Sequence, residues 1–199
     1  YFALNKGLSI GKASVNFNGT EELPITLTFQ GDDESKWKGV YFQDDSDNTV
    51  RSSMTYTTIT NAGYGSDYNA NLYLNKTSQP SMSNCVFANA EGHGLRLVES
   101  SPSIVSCSFS GNSECGIYLS NSAPSCVDCS MSGNAYGVYY GTTNFNASYN
   151  SVTVTGNDVG LYSCSPNRNF IFNPEEISIS GNVADIAVAG GQITGDLTW

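Results

Sequence analysis

The sequence predicts an all-β chain coiled into a parallel β-solenoid of about 7–8 rungs, each about 22–25 residues long, with little or no helix. Three observations lead there. Pro80, Pro102 and Pro124 recur at a spacing of 22 residues, and Cys85, Cys107 and Cys129 keep the same spacing. Each repeat holds short apolar–polar–apolar segments, the period-2 signature of strands rather than the 3.6 of helices. Gly, Asn and Ser make up about a third of the chain, while the good helix formers Ala, Leu, Glu and Lys are scarce.

Taken in chain order, Gly7-Leu8-Ser9-Ile10 is a first copy of a Gly–apolar–X–apolar slot. Gly39-Val40-Tyr41-Phe42 and Asn71-Leu72-Tyr73-Leu74 fill the slot again, followed by Gly94-Leu95-Arg96-Leu97, Gly116-Ile117-Tyr118-Leu119, Gly137-Val138-Tyr139-Tyr140, Gly160-Leu161-Tyr162-Ser163 and Asp185-Ile186-Ala187-Val188. Stacking rungs about 4.8 Å apart puts equivalent residues in columns. Inward columns are then Cys85/Cys107/Cys129/Val152/Ile177, Phe87/Phe109/Met131/Val154/Ile179 and Leu95/Ile117/Val138/Leu161/Ile186, every member apolar or Cys. One domain spans 1–199, with irregular rungs over 1–36, clear repeats over 37–188 and a terminal strand over 189–199.

Four rungs carry Ser/Thr-Gly-Asn, which aligns Asn112, Asn134, Asn157 and Asn182. Asn tolerates the left-handed backbone of a tight bend, and its amide can bond to the Asn above and below, so these four are expected to form a structural ladder at the bends. With its repeat and this ladder, the chain resembles the right-handed parallel β-helix proteins of the pectate-lyase-like superfamily. The resemblance implies the fold and its handedness, which the right-handed rule for parallel crossovers also favours. That superfamily includes polysaccharide lyases, glycoside hydrolases, tailspikes and adhesins, so the fold does not fix an activity.

Charge narrows the partners. Eight basic residues face 18 acidic ones for a net charge of −10, too few cations to neutralise a phosphate backbone, so no nucleic-acid partner is expected. No apolar run reaches the ~18 residues of a membrane span. Six cysteines and one histidine, with a solitary Cys126–Cys129 spacing, make no zinc site, and the cysteines read as buried small hydrophobes. No cofactor is implied. Sequons at Asn18, Asn75 and Asn146, with the polar, Lys-poor composition, point to an extracellular or cell-surface glycoprotein. The start at Tyr1 reads as a processed or excised product.

Gly92-His93-Gly94 resembles one motif of the polygalacturonases, but the accompanying Asn-Thr-Asp, Asp-Asp and Arg-x-Lys do not follow: Asn48-Thr49 leads to Val50. The two glycines read as a turn before a strand at Leu95–Leu97. Asp44, Asp45 and Asp47 form an oxygen-rich loop that could hold Ca²⁺, without the Gly and distal Glu of an EF-hand. The outward member of the repeated slot reads Tyr41, Tyr73, Arg96, Tyr118, Tyr139, Tyr162, then Ala187. This aromatic column is a candidate contact surface for another subunit or for a sugar chain lying along the rings. Ser108, Ser130, Thr153 and Ser178 form an outward hydroxyl column on another face. The function expected is a non-enzymatic, self-assembling filament, sheath or surface-layer subunit, with capless ends and the Tyr face as contacts. The alternatives are a carbohydrate-binding or adhesin segment of a larger surface protein and, behind it, a polysaccharide lyase or hydrolase.

Overall fold

The computed structural model describes residues 5–29, 36–43, 51–65, 69–142, 147–166 and 175–191. Within them the chain winds through three all-parallel sheets. The first sheet has eight strands, stacked in the order Gly7–Ile10, Gly39–Gln43, Ala70–Asn75, His93–Val98, Cys115–Ser120, Tyr136–Tyr140, Val159–Ser163 and Ala184–Val188. The second has six, running from Asn16–Asn18 through Ser103–Val105 to Ser148–Asn150. The third has seven, running from Ile25–Leu27 through Ser108–Ser110 to Ile177–Ile179. No helix occurs among the described residues.

Register follows the repeat. Leu72, Leu95, Ile117, Val138 and Leu161 are successive partners in the first sheet, and Phe87, Phe109, Met131 and Val154 in the third. All are buried in one continuous core, where the Phe87 and Phe109 rings stack at 5.1 Å. A further inward column, Met54/Met82/Ile104/Cys126, comes from the second sheet. Ile186 departs from its expected place: it is 42 % exposed, because no described rung lies beyond Ala184–Val188. Cys85, Cys107, Cys115, Cys126 and Cys129 are buried and unbridged.

Most corners among the described residues are made the same way. One residue adopts a left-handed backbone, turning the chain in a single step, and the next points its side chain inward. The left-handed residues are Lys76, Glu99 and Asn121 at the first corner, Tyr56, Asn84, Ser106, Asp128 and Ser151 at the second, and Asn61, Asn89, Gly111, Gly133, Gly156 and Gly181 at the third. Most pass their N–H to a carbonyl of the next rung, as from Glu99 to Ser120 (2.9 Å), Ser106 to Val127 (2.8 Å) and Gly111 to Ser132 (3.1 Å), while Asn121 N–H goes to Thr142 Oγ1 at 2.9 Å. At all three corners, inward residues that follow donate their own N–H to the side chain of their equivalent one rung on. At the first corner Ser100 N–H meets Ser122 Oγ at 3.0 Å. At the second, Cys85 N–H meets Cys107 Sγ at 3.4 Å. At the third, the N–H groups of Asn112, Asn134 and Asn157 each meet the next asparagine's Oδ1 at 3.0 Å. The thiol column is therefore also a hydrogen-bond ladder, with sulfur as a weak acceptor.

The asparagines do not take the left-handed bend expected of them. Gly does, at φ 63° to 71°, because the Asn side chain is needed inside, where Nδ2 reaches both the next Oδ1 (2.9 Å from Asn112 to Asn134) and a strand carbonyl (3.2 Å to Phe87). The ladder sets a second requirement. A Cβ on Gly94 would lie 2.8 Å from Asn112 Nδ2, so the strand position beside each ladder Asn must be Gly. Where the corner residue is Ala90, the matching strand position holds Asn71. Asn71 Oδ1 accepts from Ala62 N–H (3.1 Å), and its Nδ2 donates to Asn112 Oδ1 (3.4 Å). The amide is supplied from the strand instead of the corner. At the other end Asp185, again at the Gly position, accepts from Asn182 Nδ2 at 3.0 Å. The ladder donates toward the C-terminus, so an acceptor-only carboxylate completes it.

Asp44, Asp45, Asp47 and Asn146 lie outside the described residues, as do residues 192–199 and with them most of the expected terminal strand. The chain-end contacts expected of a filament fall largely there.

Two outcomes follow. Asn134→Ala strips Asn112 N–H of a buried acceptor and should lower unfolding free energy by roughly 2 kcal/mol in a urea melt. Asn71→Gly alone should cost about 1–3 kcal/mol, and Ala90→Asn alone should be destabilising through crowding. The double variant should return to within about 1 kcal/mol of the parent, a coupling read from the double-mutant cycle.

Candidate functional site: a groove on the outer face of the first sheet

The Gly requirement shapes the outer surface. Gly94 and Leu95 both face the core, so the residue before them is turned outward. His93, Cys115, Tyr136 and Val159 thus form a register column, with Ala70 beneath His93, beside the column Tyr73/Arg96/Tyr118/Tyr139/Tyr162. The expected turn at Gly92-His93-Gly94 is instead the start of the strand His93–Val98. The two columns, with Asn69 and Glu114, line a groove of about 390 Å³.

The structure brings Tyr41, Tyr73, Arg96, Tyr118, Tyr139 and Tyr162 into one row, each the register partner of the next. Tyr41 stacks on Tyr73 at 4.7 Å, Tyr118 on Tyr139 at 5.4 Å and Tyr139 on Tyr162 at 4.8 Å. The Arg96 guanidinium lies 4.7 Å from the Tyr73 ring centre and 5.8 Å from that of Tyr118. The ring faces are therefore spent on one another. A sugar chain lying flat along them, as the sequence suggested, has no free faces to cover; what the row offers outward is ring edges and hydroxyls.

His93 is only 6 % exposed. Its ring stacks on Tyr118 at 4.9 Å, and Nε2 lies 3.2 Å from Glu114 Oε2. That carboxylate oxygen also accepts from Asn69 Nδ2 at 3.1 Å. A carboxylate only accepts, so Nε2 carries the proton and Nδ1 presents a lone pair. Burial pushes the His93 pKa down to about 3, and the Arg96 guanidinium adds to the same direction. Glu114 is 49 % exposed on its side chain, and water screens its opposing pull. Burial raises the Cys115 thiol, with Glu114 adding to it, and raises the Tyr73 and Tyr139 hydroxyls.

Among the described residues, two buried side-chain atoms have no hydrogen-bond partner: His93 Nδ1, an acceptor, and Arg96 Nε, a donor. Both belong to this groove. An imidazole this reluctant to take a proton is a weak base, and a thiol held protonated is a weak nucleophile. Hydrolysis by paired carboxylates needs a second acid, and Glu114 is the one carboxylate lining the groove among the described residues.

The profile of the right-handed β-helix region family matches residues 14–184. The chain belongs to that family. The match gives the coil its right-handed sense and spans all but the outermost strands of this β-helix. No curated protein and no solved structure matches the chain.

The remaining site residues are placed separately. Asn112, Asn134, Asn157 and Asn182 lie inside, on the core side of the groove floor. Asn18 is exposed, its Oδ1 accepting from Ser53 Oγ at 3.3 Å, and Asn75 donates to Tyr41 OH at 3.0 Å. Among the described residues no cluster of His, Cys, Asp and Glu could hold a metal ion. Sequence reasoning missed His93, Cys115, Tyr136, Asn69 and Glu114 as a group. Moving the repeat alignment one position upstream of its Gly finds the first three.

The buried imidazole makes stability depend on pH. Its folded pKa lies below the ordinary 6.5, so the unfolded chain binds the proton first. His93's contribution is complete above about pH 6.5 and is lost as pH falls toward about 3, at up to about 1.4 kcal/mol per unit. The charged and titratable groups that face the imidazole are Arg96, Glu114, Cys115 and Tyr118. Urea midpoints at about pH 7 and about pH 5 should differ less in His93→Gln than in the parent.

Proposed function

We propose that this right-handed β-helix is an extracellular saccharide-binding protein, a carbohydrate-binding or adhesin segment that holds its ligand in the outer groove of the first sheet. One observation carries the reading: a buried acceptor, His93 Nδ1, and a buried donor, Arg96 Nε, both unpartnered and both facing one groove. Leaving such groups unpaired costs about 1–3 kcal/mol each, so a native site that keeps them open is complementary to something that fills them. A sugar hydroxyl both donates and accepts, and neighbouring hydroxyls on one ring supply the two functions side by side. Beside the Glu114 carboxylate and the Cys115 thiol, the groove offers the Tyr118, Tyr136 and Tyr139 hydroxyls and the Asn69 amide, polar groups that suit a polyol surface. The sequons and the composition support an exterior setting.

Glycan-array screening followed by calorimetry tests this. The parent should bind a set of oligosaccharides. His93→Phe keeps the ring stacked on Tyr118 but removes the acceptor, and should weaken binding at least about tenfold. Absence of binding to any saccharide at millimolar concentration would overturn the reading.

A further inference from the structure

Resting on that reading, we propose that the groove selects a saccharide carrying a single anionic group, seated on Arg96, and rejects chains that are charged at every residue. Arg96 is a fixed cation. Its guanidinium is held between the Tyr73 and Tyr118 rings, and its Nε is buried. No carboxylate pairs with it among the described residues. Glu114, the nearest candidate, is turned to His93 and Asn69 instead. A chain with 18 acidic residues and 8 basic ones has thus left one preorganised guanidinium without a carboxylate partner, among the described residues, inside a groove walled by tyrosines. Guanidinium groups recognise carboxylate and sulfate through paired N–H donors, and a stacked, immobilised one loses little side-chain freedom on doing so.

The surroundings limit the ligand to one such group. Register neighbours of Arg96 on both sides are phenols, Tyr73 and Tyr118, and beyond them Tyr41 and Tyr139. Within that column a second anion one or two rungs from Arg96 meets a phenol rather than a cation; Lys38 stands two rungs off, in the neighbouring His93/Ala70 column, where it is already engaged. Toward the other side such an anion meets Glu114, whose half-exposed carboxylate repels it. The net charge of −10 adds long-range repulsion of a polyanion. His93 Nδ1, neutral and beside the guanidinium, accepts from a hydroxyl next to the anionic group. The same chemistry is offered by the carboxylate of an acidic sugar or by a sulfate ester on a neutral one.

The test titrates the folded chain with four probes: a neutral oligosaccharide, the same oligosaccharide ending in one uronic acid, the same bearing one sulfate, and a polyuronate. One or both singly charged probes should bind at least about tenfold tighter than the neutral one at low salt, the difference shrinking as salt rises. Which of the two binds tighter names the source of the anion. Arg96→Gln should remove the difference, and Arg96→Lys should keep part of it, with both variants retaining a urea midpoint close to the parent's. Equal affinity for neutral and singly charged probes, or tightest binding of the polyuronate, overturns the selection while leaving saccharide binding in place. Binding of none of the four overturns both.

Discussion

The constraint on which the structure depends is the hydrogen bond from each inward corner residue to the side chain of its equivalent in the next rung. A parallel coil of short strands satisfies its straight segments by ordinary ladder bonds, but a corner interrupts the ladder and turns a side chain into a narrow core. Ser100 and Ser122 meet that demand with hydroxyls, Cys85 and Cys107 with thiols, and Asn112, Asn134 and Asn157 with amides. Each choice keeps the corner amide paired where water cannot reach it. Because these side-chain acceptors come from the adjacent rung, a one-residue slip would leave several corner donors unpaired at once, and register becomes strongly specified.

The groove is a consequence of the same constraint. An Asn side chain filling the third corner, together with the backbone carbonyl of the next rung, leaves no room for a Cβ on the adjoining strand at Gly94, Gly116, Gly137 and Gly160. With that glycine and the next residue both facing in, the preceding residue turns out. That is how His93, Cys115 and Tyr136 come to stand beside Arg96, Tyr118 and Tyr139. A structural amide ladder on one side of the sheet thereby builds a second outward column on the other, and the space between the columns is the site.

The repeat made the fold legible because burial is periodic: Leu95, Ile117, Val138 and Leu161 can be aligned by eye, and the Tyr column follows from the same alignment. The corner rules were less visible. Ser100 and Ser122 are two among many serines, and their role depends on the left-handed residue before each. The exchange between Asn71 and Ala90 could not be read from one rung, since the amide moves from a corner to a strand of the neighbouring coil. His93 looked like a turn residue because glycines flank it. Their reason is close packing against Asn112 and Asn69, a contact between residues about 20 apart that local propensity does not encode. The stacking of the phenols is also a property of the three-dimensional register, and it changes what the column can offer from ring faces to edges and hydroxyls.

His93 is the chain's one histidine, so its imidazole nitrogens can be observed directly by ¹⁵N NMR. The account predicts a single neutral tautomer, protonated at Nε2, that persists well below pH 6.5, with the Nδ1 resonance shifting when a saccharide is added. An imidazole that titrates near 6.5, or an Nδ1 signal that stays still at saturating saccharide, would contradict it.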